Sequence, residues 1–176
     1  MVNESTLPIF RFVGHSGTGK TTLLEHLITE LVRRGRRIAV AKDTHHRLDL
    51  DRPGKDSYRL AQAGAGQVLL TGPDQLALFA RTPTRPRLQA LARLVAPGAD
   101  LLLAEGFRDD PEPAIVVWRA ALGRPLPDLV GPMVAIVSDD PVDSTVPRFD
   151  FGAVNPLADF LLDLAADSSA TRRSAP

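Results

Sequence analysis

The sequence contains no cysteine, which excludes disulfide bonds and thiolate metal sites. Its 21 basic and 21 acidic residues balance, so no net charge attracts the chain to nucleic acid or to an anionic membrane. No apolar run approaches the roughly 20 residues of a membrane span, and no secretory signal pattern opens the chain. With 176 residues, 44% of them hydrophobic, the chain is predicted to be one cytoplasmic globular domain.

A glycine-rich stretch with the sequence GHSGTGKTT follows the apolar run Ile9–Val13 and opens a predicted helix that ends near Arg34. A strand, a glycine-rich turn and a helix are the setting in which G-x-x-x-x-G-K-T binds phosphates. Backbone N–H groups and the positive end of the helix would surround the phosphate oxygens. We predict that nine residues bind the nucleotide: Gly14, His15, Ser16, Gly17, Thr18, Gly19, Lys20, Thr21 and Thr22. Lys20 would contact the β- and γ-phosphates, and the Thr21 hydroxyl would contact Mg²⁺.

Strand and helix patterns alternate along the chain, which predicts an α/β, P-loop NTPase-like fold. Its central sheet should be mostly parallel, with helices on both faces. We expect a single domain over residues 1–167 and a disordered tail over residues 168–176. Around Gly123-Arg124-Pro125 we expect a β-hairpin excursion, at about residues 113–130. Its apolar run Ile115–Trp118 needs a partner to cover it, which predicts a homodimer contact through Ile115–Arg119.

Acidic residues follow two of the predicted buried strands. Glu105 ends the run Leu101–Ala104, and we predict that it is the acidic partner of Mg²⁺. Asp43 follows the strand Ile38–Ala41 and is predicted to orient a water; starting a turn is an equally good interpretation. Since ligands of such sheets bind beyond the carboxyl ends of the strands, both acids should converge on the loop that carries Lys20.

Three further features leave alternatives open. Ser138 and Asp139 end the predicted last strand and could read guanine, although a turn has the same sequence pattern. His45 and His46, with Asp49 and Asp51, suggest either a metal site or a polar loop that senses the γ-phosphate. A basic run could close over phosphates as the lid of an ATP-dependent small-molecule or nucleotide kinase, or be a solvated helix face; it comprises Arg81, Arg85, Arg87 and Arg93.

Taken together, these segments resemble the molybdopterin-guanine dinucleotide biosynthesis protein B family. The most specific stretches are KDTHHRLDLD at residues 42–51 and PGKDSYR at residues 53–59. The phosphate-binding loop, LAEGF at residues 103–107, the strand with its arginine at residues 115–119 and Ser138-Asp139 complete the resemblance. Asp43 departs from the family pattern, which more often has histidine there.

The resemblance implies a dimeric, Mg²⁺-dependent P-loop protein that binds GTP and hydrolyses it weakly. Such proteins are adapters in the attachment of GMP to molybdopterin, beside a separate molybdopterin guanylyltransferase, and molybdopterin itself is a candidate ligand. The alternatives are a kinase that uses ATP and a metal-delivery GTPase that uses His45 and His46.

Overall fold

The computed structural model describes residues 7–44 and 53–173. It divides the chain into two compact units, one formed by residues 1–43 and 87–176 and the other by Thr44–Pro86. The domain predicted for residues 1–167 therefore contains two such units. The strands are β1 Ile9–Val13, β2 Ile38–Lys42, β3 Gln67–Thr71, β4 Leu76–Ala80, β5 Leu101–Glu105, β6 Ala114–Val117, β7 Met133–Val137 and β8 Arg148–Phe149. The α-helices are α1 Lys20–Arg33, α2 Asp56–Gln62, α3 Leu88–Val95 and α4 Val154–Arg173.

The first unit is built on a six-stranded sheet in the order β2-β5-β1-β6-β7-β8. Every neighbouring pair in it is parallel. The carboxyl ends of all six strands therefore meet at one edge of the sheet. This arrangement confirms the predicted α/β class and brings the ends of β1, β2 and β5 together.

Helices cover both faces of this sheet, which explains the nearly continuous apolar sequence of its strands. Along β5, Leu101 and Leu103 belong to the core cluster with α1 and α4, whereas Leu102 and Ala104 belong to the cluster with α3. Successive side chains of a strand point to opposite faces, so a five-residue strand contributes to two cores.

Arg11 is the one charged residue of β1, and it is fully buried. Its guanidinium donates to the carbonyls of Phe107, Arg108, Glu112 and Val130 at 2.5–3.1 Å. Burial lowers the pKa of Arg11, and Asp110, Glu112 and Asp109 oppose that effect. Because the carbonyls satisfy the guanidinium, the strand tolerates this residue and the segment after β5 is fixed to it.

The second unit contains α2 and an antiparallel pair of strands. Gly72 donates to the Gln75 carbonyl at 2.8 Å and closes the turn between β3 and β4. Val68 is buried, whereas three leucines of the opposite face are exposed. These are Leu69 at 57%, Leu76 at 65% and Leu78 at 41%. Because side chains alternate along a strand, these leucines form one apolar surface, here called the leucine face.

Two predictions about the elements were wrong. Residues 113–130 form no hairpin excursion, because β6 lies between β1 and β7 as a parallel strand of the central sheet. Ile115 and Val117 are fully buried there, so this apolar run is already covered within the chain. Residues 168–173 were predicted to be disordered but continue α4, in which the Ser168 hydroxyl donates to the Leu164 carbonyl at 2.8 Å.

Among the described residues, no helix combines the length and the apolar character that a bilayer span requires.

Candidate nucleotide-binding site

The glycine-rich loop joins the end of β1 to the start of α1, as predicted. Gly19 precedes the first residue of α1 with φ at 91°, a left-handed conformation that glycine adopts without strain. Gly14 is required for a different reason: a Cβ added there would lie 2.2 Å from the Val117 carbonyl oxygen of β6. The neighbouring strand therefore approaches the loop too closely for any side chain at this position.

Thr18 holds the loop from inside. It is fully buried, and its hydroxyl donates to the His15 carbonyl at 3.0 Å. The side chain of Thr18 thus stabilises the turn. His15 is anchored as well, because its Nε2 lies 3.0 Å from the Pro125 carbonyl oxygen. Ser16 and Thr22 are exposed, so their side chains are accessible to a nucleotide.

The Lys20 ammonium lies beneath the loop that precedes it. Its Nζ donates to the carbonyls of Gly14 and His15, each at 2.9 Å. Burial lowers the pKa of Lys20, the charge of Glu105 opposes that effect, and Lys42 adds to it. A partly desolvated ammonium held by two neutral carbonyls gains when a phosphate supplies anionic oxygens, since charge-assisted hydrogen bonds are stronger.

Glu105 lies at the end of β5, next to the start of α1. The Thr21 hydroxyl donates to its Oε2 at 2.9 Å. Lys42 Nζ lies 3.3 Å from the same oxygen, because Lys42 is the register partner of Glu105 in the pair β2–β5. Lys42 was not among the predicted site residues, although its position at the end of a parallel strand was the signal for it.

Hydroxyl and carboxylate oxygens are the donors that Mg²⁺ prefers. Within the described ranges, no group of three or more His, Asp and Glu residues could enclose a metal ion. A Mg²⁺ ion bound through few protein oxygens and completed by phosphates and waters fits that composition. Thr21 and Glu105 would hold it, and it would neutralise phosphate charge.

Asp43 lies beside Glu105, as the sequence analysis expected. Its backbone N–H donates to the Glu105 carbonyl at 2.9 Å. The two acids that follow β2 and β5 therefore come together at the carboxyl edge of the sheet. The role of Asp43 toward a water stays a prediction.

The two candidate guanine-reading residues differ. Ser138 is fully buried, and its hydroxyl accepts from the Asp140 N–H at 3.0 Å, so its side chain stabilises the turn after β7. The Asp139 side chain is 54% exposed. Its Oδ1 accepts from the Phe151 N–H at 3.0 Å, and its Oδ2 from Arg119 Nη1 at 3.4 Å.

Arg119, predicted to be part of a dimer contact, lies beside the phosphate-binding loop. Its Nε donates to the Thr18 carbonyl at 3.1 Å, inside the phosphate-binding loop. Its guanidinium carbon lies 3.7 Å from the centre of the Phe151 ring. The position of this basic residue shortly after a buried strand was the sequence feature that could have assigned it to the site.

The remaining candidates lie elsewhere or outside the described residues. Arg87 donates to the Asp109 carbonyl at 3.0 Å, and Arg93 is exposed on α3. Arg81 and Arg85 belong to the second unit. His45, His46, Asp49 and Asp51 lie outside the described residues.

Four features define the P-loop class of nucleotide-binding proteins. They are a parallel sheet, a glycine-rich loop leading into a helix, a lysine beneath that loop, and an acid that is hydrogen-bonded to the threonine after that lysine. Residues 9–139 match the family described as molybdopterin guanine dinucleotide synthesis protein B. The chain belongs to this family.

Relatives and solved structures agree with that assignment. The molybdopterin-guanine dinucleotide biosynthesis adapter protein of Escherichia coli is 40% identical over 93% of this chain and 96% of its own. The protein of the same name from Haemophilus influenzae is 36% identical over 90% of this chain and 89% of its own. The crystal structure of Bacillus subtilis MobB superposes with a TM-score of 0.68 at 25% identity, over 89% of this chain and 97% of that one.

Proposed function

We propose that this chain is a GTP-binding adapter in the synthesis of the molybdopterin guanine dinucleotide. It would assist a separate molybdopterin guanylyltransferase that attaches GMP to molybdopterin. The family assignment and the names of the relatives support this role. The observation that carries the GTP-binding part is the Lys20 ammonium beneath the glycine-rich loop, next to the Thr21–Glu105 contact.

Each residue of the site has a distinct part in this proposal. Lys20 and the loop N–H groups bind the phosphates, while Thr21 and Glu105 hold Mg²⁺. Asp139 is the candidate for accepting hydrogen bonds from guanine, since part of its carboxylate is exposed. Weak hydrolysis would use Asp43 to orient the attacking water, at its position beside Glu105.

We also propose that two copies of the chain associate through the leucine face. A two-stranded hairpin is marginally stable alone, and among the described residues no third strand pairs with this one. Leu69, Leu76 and Leu78 make the face apolar, and a second copy of the same face is complementary to it under twofold symmetry. This surface replaces the run Ile115–Arg119 as the proposed dimer contact.

Reconstitution tests the adapter role. A purified molybdopterin guanylyltransferase would be mixed with molybdopterin, GTP and Mg²⁺, and the guanine dinucleotide formed would be measured with and without this chain. We expect the wild-type chain to increase product formation and Lys20→Ala to abolish the increase. Arg33→Ala is the matched control, since Arg33 is exposed at the far end of the same helix. No increase with the wild-type chain would contradict the adapter role.

A further inference from the structure

We propose that Arg119 is a positioning residue that sets the direction of the Gly19 N–H in the phosphate-binding loop. The inference rests on the proposed function, because it assigns Arg119 a part in phosphate binding by that same site. Arg119 follows β6, a different strand from the one that carries the loop. Its contribution would therefore be to hold the loop from a neighbouring element.

The proposal rests on the geometry of the peptide bond between Thr18 and Gly19. Arg119 Nε donates to the Thr18 carbonyl at 3.1 Å. In a trans peptide the carbonyl and the following N–H point in opposite directions. The described chain contains no cis peptide, so the Gly19 N–H points away from Arg119. Loops of this kind bind phosphate through such N–H groups, and fixing the carbonyl fixes the donor in advance.

Arg119 is itself held on two further sides. Its guanidinium lies over the Phe151 ring at 3.7 Å, and its Nη1 lies 3.4 Å from Asp139 Oδ2. The other Asp139 oxygen accepts from the Phe151 N–H at 3.0 Å, so Arg119, Asp139 and Phe151 all contact one another. A planar guanidinium stacks on a ring and donates in its own plane at the same time, which a lysine ammonium cannot do.

Arg119 and Phe151 both lie close to Gly19. A Cβ added at Gly19 would lie 3.7 Å from Arg119 Nη2 and 3.5 Å from Phe151 Cε1. Arg119 and Phe151 therefore pack directly against the start of α1. The turns after β7 and β8 are linked in this way to the phosphate-binding loop.

Calorimetric titrations with GTP, ATP and inorganic tripolyphosphate test the proposal. We expect Arg119→Met to weaken GTP and tripolyphosphate binding by the same factor, on the order of tenfold for one lost charged hydrogen bond. Asp139 keeps its hydrogen bond from the Phe151 N–H in this variant, so the ratio of GTP to ATP affinity should not change. Arg119→Lys should recover part of the loss, and Arg124→Met, an exposed arginine of the same loop, should bind like the wild type.

Other outcomes distinguish the possible failures. Unchanged tripolyphosphate binding with an altered GTP to ATP ratio would overturn the proposal, because Arg119 would then act on the base. Unchanged binding of all three ligands would overturn it as well. If the wild-type chain binds neither GTP nor tripolyphosphate, the proposed function fails first. Should Arg119→Met unfold, Phe151→Leu removes the stacking partner and should weaken GTP and tripolyphosphate binding equally, but less; no loss would contradict the proposal.

Discussion

Side chains of the phosphate-binding loop in the first unit contact the same chain, whereas those of the leucine face in the second unit are exposed. Around the loop, Thr18, Lys20 and Thr21 each have partners within the same chain. On the leucine face, Leu69, Leu76 and Leu78 are exposed. The two proposals differ accordingly: we propose that the nucleotide site is prepared by contacts within one chain, and that the leucine face contacts a second copy. Variants of the two regions should therefore have separable effects.

The largest effect is expected from Gly14→Ala. The added Cβ would lie 2.2 Å from a backbone carbonyl of β6, so the loop or the strand must move. Overpacking of this kind costs about 1–3 kcal/mol or more. We expect a lower Tm and the loss of GTP binding, measured by thermal unfolding and calorimetry. Gly98→Ala is the control, since a Cβ there meets nothing within 4 Å. Wild-type GTP affinity in Gly14→Ala would show that the loop is not tightly packed.

Leu69→Asp combined with Leu78→Asp should change self-association without changing nucleotide binding. These leucines are register partners, so two carboxylates would repel each other and their counterparts on a second copy. We expect a monomer by analytical ultracentrifugation, with GTP affinity within about twofold of the wild type, a difference below the roughly 0.5 kcal/mol typical of uninvolved surface sites. Val32→Asp is the control, because Val32 is an exposed apolar residue of α1. A dimer that survives the double change would exclude the leucine face as the contact.

Glu105→Gln tests how much one negative charge contributes to the nucleotide site of the first unit. The variant retains an oxygen for the Thr21 hydroxyl but loses the charge that faces Lys42 and the proposed Mg²⁺. We expect GTP affinity with Mg²⁺ to fall on the order of tenfold, the effect of one charged contact, with a much smaller change in EDTA. Equal losses under both conditions would argue against a metal role for Glu105.

The smallest effect is expected from Glu30→Gln, away from the site. Hydrogen bonds from Arg33 and Arg34 lower the pKa of Glu30 from 4.5 to about 2. Its ionised form therefore stabilises the folded state fully above the unfolded pKa, and this contribution is lost as pH falls toward about 2. The variant should have a slightly lower Tm at pH 7, and the difference should disappear near pH 2. A difference that persists there would show that charge is not its cause.

Features of the site that depend on the local sequence could be predicted, whereas features that depend on tertiary contacts could not. The loop and Glu105 were predictable, because a strand, a glycine-rich turn and an acid at a strand end are local patterns. The position of β6 was not, since the same apolar run fits an edge strand or a central one. Misplacing β6 also left Arg119 out of the predicted site. Strand β8 has only two residues, too few for a periodic pattern, so the position of Phe151 beside the loop had no signal.

The central claim is that the loop around Lys20 binds a guanine nucleotide. Calorimetric titration of the purified wild-type chain and of Lys20→Ala, with GTP and with ATP in the presence of Mg²⁺, tests it most directly. The account predicts a clear preference of the wild type for GTP and a loss on the order of 100-fold in Lys20→Ala, because two charged phosphate contacts disappear. Preference for ATP, or an unchanged affinity in Lys20→Ala, would contradict it.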